Sequence, residues 1–157
     1  MISEDDQRGA GVKFPPPLVV LLTLIVAYGA HYIFPLHLGA PHAVRILGII
    51  PITVAISLVI YIARIFAQAE TNIEPWKPTT EIITSGVFAY SRNPIYAGFC
   101  LIPIGLGLLL NSIWLLISFV PMAFIIYHVA IKHEEAYLEK KFADEYSVYK
   151  KHVRRWV

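Results

Sequence analysis

Long uncharged runs divide this chain. No Asp, Glu, Lys or Arg occurs from Phe14 to Val44, from Ile46 to Ala63, or from Asn93 to Ile131. The first two gaps hold apolar stretches, Leu18 to Phe34 and Val44 to Phe66, each long enough at ~1.5 Å per residue to cross most or all of a hydrocarbon core of ~30 Å. As one helix the third gap would reach roughly 58 Å, so the chain has to turn back inside it. Asn111-Ser112 is the most polar point available for the turn, which predicts a helical hairpin of Ile95 to Leu110 and Ile113 to Ile131. The expected architecture is all-α, a polytopic membrane protein with about four transmembrane helices, the last two forming a hairpin. Pro51 is placed to kink the second helix.

The polar segments carry different patterns. Residues 67–93 mix Trp76, Ile82, Ile83, Val87, Phe88 and Tyr90 with charges, as a segment lying at a membrane interface does. Pro75 and Pro78 argue against a long helix there, and Ser85-Gly86 reads as a turn. From Lys132 to Trp156 the pattern is helical: Leu138, Phe142, Tyr146 or Glu145, Tyr149, Val153 and Trp156 recur at spacings of three and four. This predicts an amphipathic helix, cytoplasmic by the charge argument below, with Glu134 and Glu135 standing where it leaves the bilayer. Most polar residues that look placed fall after residue 66. The chain therefore reads as two anchoring helices in 1–66 and a chemistry-bearing part in 67–157.

Composition agrees with a bilayer as solvent: 57% of the 157 residues are hydrophobic and 15% charged, with a mean hydropathy of +0.61. Four crossings put the N-terminus, the 67–93 segment and the C-terminus on one side. That side holds Arg8, Lys13, Lys77, Arg92, Lys132 and the basic tail, against Arg45 alone on the other. The positive-inside rule then makes both termini cytoplasmic in a plasma or inner membrane. Glu4, Asp5 and Asp6 followed by Pro15-Pro16-Pro17 do not resemble a cleavable signal. The net charge of +2 is small; Lys140, Lys141, Lys150, Lys151, Arg154 and Arg155 are placed to meet anionic lipid headgroups, and nucleic acid is not needed to explain them. One cysteine, Cys100, excludes a disulfide framework within the chain. The histidines are dispersed, and His128 and His133 fall on different helix faces, so no metal site is expected. No Gly-x-Ser-x-Gly elbow is present.

Two constellations remain. In Ser91-Arg92-Asn93-Pro94-Ile95-Tyr96, Asn93 is a good N-cap and Pro94 suits the first helical position, which is also what a purely structural helix start needs. A capped helix start beside Arg92 would equally offer an anion amides, a positive dipole end and a guanidinium fork. Glu134 and Glu135 could be a solvated helix start. If desolvated at the membrane exit they require a cation, either Arg92 or a ligand.

Taken together, TTEIITSGVFAYSRNPIYAG, an apolar hairpin and HEEAYLEKKFADEYSVYKKHVRRW resemble, in order and spacing, the integral membrane methyltransferases that include isoprenylcysteine carboxyl methyltransferases and phospholipid N-methyltransferases. The resemblance covers roughly residues 71–156. It implies S-adenosylmethionine as cofactor and a lipophilic acceptor: a phospholipid amine, a prenylated or isoprenoid carboxylate, or another lipid-soluble group. Arg92, Asn93, Pro94 and Tyr96 match the family's Arg-His-Pro-x-Tyr-type motif and Glu134 and Glu135 its acidic pair, while Tyr146, Tyr149 and Arg155 fall in the matching tail. These are the implied cofactor-binding residues, with Arg92, Glu134 and Glu135 the implied catalytic ones. Asn93 stands where many eukaryotic members carry His. The alternative is an NADPH-dependent membrane reductase related to sterol reductases, whose cofactor asks for more basic residues than Arg92 and Lys77. A non-enzymatic scaffold would leave the clustered polar residues without a role.

The charge asymmetry sets an expected topology. A reporter active only outside the cytoplasm should be silent when fused at Val157 and active when inserted near residue 40; activity at Val157 would mean an odd number of crossings.

Overall fold

A computed structural model describes residues 9–156; Glu4, Asp5, Asp6, Arg8 and Val157 lie outside the described residues. The helices are α1 (Pro16–Ile33), α2 (His42–Ile46), α3 (Ile49–Gln68), α4 (Pro94–Leu109), α5 (Ile113–Ile117), α6 (Phe119–Ile126) and α7 (Lys132–His152), with a 3-10 turn at Gly86–Ala89 and a π turn at Tyr127–Ile131. Among the described residues the only strand-like pairings are two isolated bridges. Among the described residues three runs are long and apolar enough to cross a membrane, Pro16–Ile33, His42–Gln68 and Ile113–His152, and the shorter α4 is apolar throughout. The apolar part of the last run ends at Ile131, before the first charge. The protein is an integral membrane protein. Val26, Ile33, Phe34 and Phe124 stand exposed around the bundle, a surface that suits lipid and not water.

The predicted spans are present, with breaks that prolines explain. The second span is interrupted at Leu47-Gly48, one turn before Pro51, because Pro51 has no N–H to give the Leu47 carbonyl. Ile50 N–H bonds that carbonyl instead at 3.0 Å. The last span is interrupted at Ser118, one turn before Pro121, for the same reason, and Ser118 returns its own hydroxyl to the Leu115 carbonyl at 2.7 Å. The hairpin turns at Asn111, whose φ is +54°, and Ser112 caps α5 by accepting from Leu115 N–H at 3.3 Å.

α3 lies along α4, and α1 lies against α5 and α6. Within the α3–α4 crossing a Cβ on Gly105 would sit 2.5 Å from Ile52 Cγ1 and 2.6 Å from the Gly48 carbonyl oxygen, so backbone packs on backbone. Small residues at such a crossing let dispersion forces act where lipid offers no hydrophobic drive. At one end of the bundle the 34–38 segment is zipped to the hairpin tip: Ile113 N–H bonds the Leu36 carbonyl at 3.0 Å and the Trp114 indole bonds the Phe34 carbonyl at 2.8 Å. Arg45 stands at the same end, donating through Nε (3.3 Å) and Nη2 (3.0 Å) to the last carbonyl of α4, Leu109. At the other end the N-terminal segment is tied to the interfacial loop, with Ala10 N–H on the Pro75 carbonyl at 2.8 Å.

The tail departs from its predicted form. α7 ends at His152, not Trp156, and Val153 is extended (φ −117°, ψ 133°). The helix is also kinked at Ala143 (φ +37°). Leaving the helix lets the backbone pair in parallel with the strand-like segment before α4, through the Ser91–Arg154 bridge and Arg92 N–H on the Arg154 carbonyl at 2.9 Å. The expected apolar stripe survives up to this point: Leu138, Phe142, Tyr146, Tyr149 and Val153 pack with Ile82. Trp156 goes elsewhere, against the membrane core of Val19, Tyr96, Ile126 and Ile131.

Gly105→Ala should lower stability by about 1–3 kcal/mol, the usual cost of overpacking. Gly29→Ala, where nothing lies within 4 Å of an added Cβ, should be neutral or slightly stabilising. Thermal unfolding of both variants in detergent checks the contrast.

Candidate active site

Four stretches distant in sequence meet where α4 begins and the last span leaves the apolar zone. Pro94 starts α4 at its first helical position, as predicted. Asn93 holds the N-cap position but does not cap with its side chain; its Nδ2 donates to the Arg155 carbonyl at 3.1 Å. Ser91 Oγ contributes at the same place, accepting from Asn93 N–H at 3.2 Å and donating to the Arg155 carbonyl at 3.4 Å. The Asn93 amide thus anchors the returning tail.

Glu135 is the hub of the charged groups. Arg155 donates to both its oxygens, Nε to Oε1 at 2.9 Å and Nη2 to Oε2 at 2.8 Å, and Arg92 Nη1 lies 3.3 Å from Oε1. Arg92 Nη1 also reaches the Tyr146 hydroxyl at 3.5 Å, while its Nε is buried with no protein partner among the described residues. The forked bond to Glu135 holds the Arg155 guanidinium pKa above its ordinary value. That guanidinium also lies 5.1 Å from the centre of the Tyr127 ring, a cation–π placement. The Tyr149 hydroxyl donates to the Phe88 carbonyl at 2.7 Å, and burial raises the Tyr149 phenol's pKa.

Glu134 is treated differently by its neighbours. Among the described residues it has no ion pair, and its one hydrogen bond comes from the Tyr96 hydroxyl to Oε1. Burial pushes its carboxyl above the usual range, the Tyr96 bond pulls it back, and the Glu135 charge pushes it up again.

Arg92, Asn93, Pro94, Tyr96, Glu134, Glu135, Tyr146 and Tyr149 all line one cleft. Arg155 stands behind Glu135. The structure therefore brings the sequence-derived candidates together. Other walls are Ala10, Ile62 and Phe66 from the N-terminal part, which bear no chemistry of their own, and Ile73, Glu74, Glu81 and Tyr137 from elsewhere. Ala10 is held by its bond to Pro75, and Val12 is buried against the core that includes Tyr96. Only the Gly9-x-Gly11 pair hints at this segment; Gly9 has φ +59°, and a Cβ there would meet the Lys77 backbone. Among the described residues no group of His, Cys, Asp and Glu could hold a metal.

The sequence profile of the phospholipid methyltransferase family matches residues 43–145. The chain belongs to that family. The family match takes in α2 and α3 as well as the hairpin, and so begins well before residue 71, near which the motif resemblance starts. It includes Arg92 and both glutamates and stops before Tyr146, Tyr149 and Arg155. Over 72 residues the chain is also 35% identical to the protein-S-isoprenylcysteine O-methyltransferase of Schizosaccharomyces pombe, covering 46% of this chain and 30% of that protein.

Glu135→Gln would leave two guanidiniums without their shared partner. Because Arg92 and Glu135 side chains are only 9% and 14% exposed, while Arg155 is more open, the expected loss is about 2 kcal/mol of stability. Glu139→Gln breaks an exposed pair with Lys150 and should cost under ~0.5 kcal/mol. Equal unfolding midpoints for the two variants would contradict the hub.

Proposed function

We propose that this protein transfers a methyl group from S-adenosylmethionine to a lipophilic acceptor at the cytoplasmic membrane face. The observation that carries the reading is the cleft at the membrane exit, in which the Arg92 guanidinium is buried with Nε unpartnered in a chain of this family. The donor has a carboxylate, an ammonium, a sulfonium and an adenine ring, and the residues fit that set. Arg92 Nε, next to the start of α4, is a donor for a carboxylate. Glu135 supplies negative charge for an ammonium, and Tyr146, Tyr149, Phe88 and Ile82 offer aromatic and apolar walls. The bound cofactor supplies an activated methyl group with a good leaving group.

The chain's own residues then have to align and dry the site. Tyr146, Tyr149 and the clamp formed by Arg92, Glu135 and Arg155 fix one wall. Tyr96 and Glu134 stand between the cleft and the membrane core, on the side from which a lipid-borne acceptor arrives. In this division of labour residues 67–157 carry the reacting site, with Asn93 and Pro94 setting the start of α4. Residues 1–66 anchor the chain and lend Ala10, Ile62 and Phe66 as walls. A reductase reading gains nothing from the structure, since the cleft's basic lining amounts to Arg92, too little for a nicotinamide dinucleotide phosphate.

Purified protein in lipid vesicles should bind S-adenosylmethionine but not NADPH, and should move labelled methyl into the lipid extract. Arg92→Lys keeps the charge but loses the fork, so it should reduce turnover. Arg92→Ala should reduce it further, by about 2–4 kcal/mol of transition-state stabilisation. Parent-like binding and turnover in both variants would remove Arg92 from the site.

A further inference from the structure

The two adjacent glutamates have opposite surroundings. Both oxygens of Glu135 are taken by Arg155, and Oε1 also faces Arg92. Glu134 faces the same cleft with no cation on it among the described residues, one oxygen held by the Tyr96 hydroxyl. Adjacent carboxyl groups in such different surroundings can divide acid–base duties between them. Three polar groups of the cleft are committed: the Asn93 amide to the Arg155 carbonyl, the Tyr149 hydroxyl to the Phe88 carbonyl, the Tyr146 hydroxyl to Arg92. Glu134 Oε2 is left with no protein donor on it among the described residues, beside a tyrosine whose ring packs in the membrane core.

We propose that Glu134 is the proton acceptor of the reaction, taking a proton from an N–H acceptor group on a lipid, with Tyr96 as its positioning residue and Glu135 excluded from that task by its two arginines. The proposal rests on the methyltransferase reading. An ammonium acceptor gives one proton to the Glu134 carboxylate and becomes a neutral amine. The lone pair left on nitrogen forms the new N–C bond to the donor's methyl as the methyl–sulfur bond breaks with its electrons on sulfur. Positive charge moves from sulfur to nitrogen, and the proton stays on Glu134 until it passes to water. A carboxylate acceptor has no proton to lose and would leave Glu134 without work. Burial, the Tyr96 hydroxyl from α4 and the Glu135 charge set the Glu134 titration; Arg92, Tyr146, Glu81 and Glu74 also line the cleft, and Arg155 is engaged by Glu135.

The test has two readouts. Infrared titration of the cofactor-free protein in detergent should show one carboxyl that keeps its proton above the usual carboxylate range. Its band should vanish in Glu134→Gln, persist in Glu139→Gln, and titrate at higher pH in Tyr96→Phe, because the phenol's bond stabilises the charged form. Methyl transfer is then compared on vesicles of an amine-headgroup phospholipid and on a prenylated carboxylate. Glu134→Gln should lower kcat on the amine by roughly 10²-fold or more, a loss larger than any fall in S-adenosylmethionine affinity. The deficit should narrow as pH rises past the amine's own pKa, where the acceptor arrives without its proton. The proposal is overturned if the band survives in Glu134→Gln, if the deficit is the same at every pH, if cofactor affinity falls as far as turnover does, or if the parent methylates the carboxylate and not the amine. A parent that methylates neither acceptor overturns the methyltransferase reading and this role with it. An active parent with a misplaced band overturns the Glu134 role alone.

Discussion

One carboxylate, Glu135, ties together parts of the chain that lie far apart in sequence. It accepts Arg155 from the tail in a forked bond and faces Arg92 from the segment before α4, so the helix leaving the membrane is bonded to both flanks of the cleft. At a surface such an arrangement would contribute little, but here Arg92 and Glu135 are largely withdrawn from water and each would be costly without the other. The backbone follows the charges. To deliver Arg155 to Glu135, the tail must stop being a helix at His152 and lie beside Ser91 and Arg92. Asn93 and Ser91 then hold the Arg155 carbonyl.

The bilayer fixes the rest. Apolar spans packed through the close α3–α4 crossing need few polar contacts in their middle, and polar bonding concentrates at the two ends. One end is closed by the 34–38 segment, Trp114 and Arg45, which satisfy the hairpin tip and the last carbonyl of α4. The other end stays open as the cleft. Tyr96 bridges the two zones: its ring belongs to the membrane core and its hydroxyl meets Glu134 in the cleft. A site so placed can take a water-borne ligand from one side and a lipid-borne one from the other.

Much of this is legible in the sequence because bilayers impose strong rules. Charge gaps mark the spans, Asn111-Ser112 marks the turn, and Arg92 and the glutamate pair are the polar residues that need a reason to be near lipid. The end of α7 is not legible, since residues 153–156 continue the helical spacing and only tertiary contacts, with Ser91, Arg92, Asn93 and Glu135, draw them out of it. Asn93 looks like an N-cap by type and position; its amide is used on the tail because the tail is there. Ala10, Ile62 and Phe66 bear no chemistry of their own, so their part in the cleft comes from packing alone. The difference between Glu134 and Glu135 is invisible in a sequence that shows two identical neighbours.

Hydrogen exchange followed by mass spectrometry, with and without S-adenosylmethionine, tests most directly whether the cleft around Glu135 is where the cofactor binds. Protection should appear in peptides covering residues 88–96, 132–138 and 146–155 and be absent from the opposite end around residues 34–45 and 109–114. Protection confined to that opposite end, or none at saturating cofactor, would contradict the account.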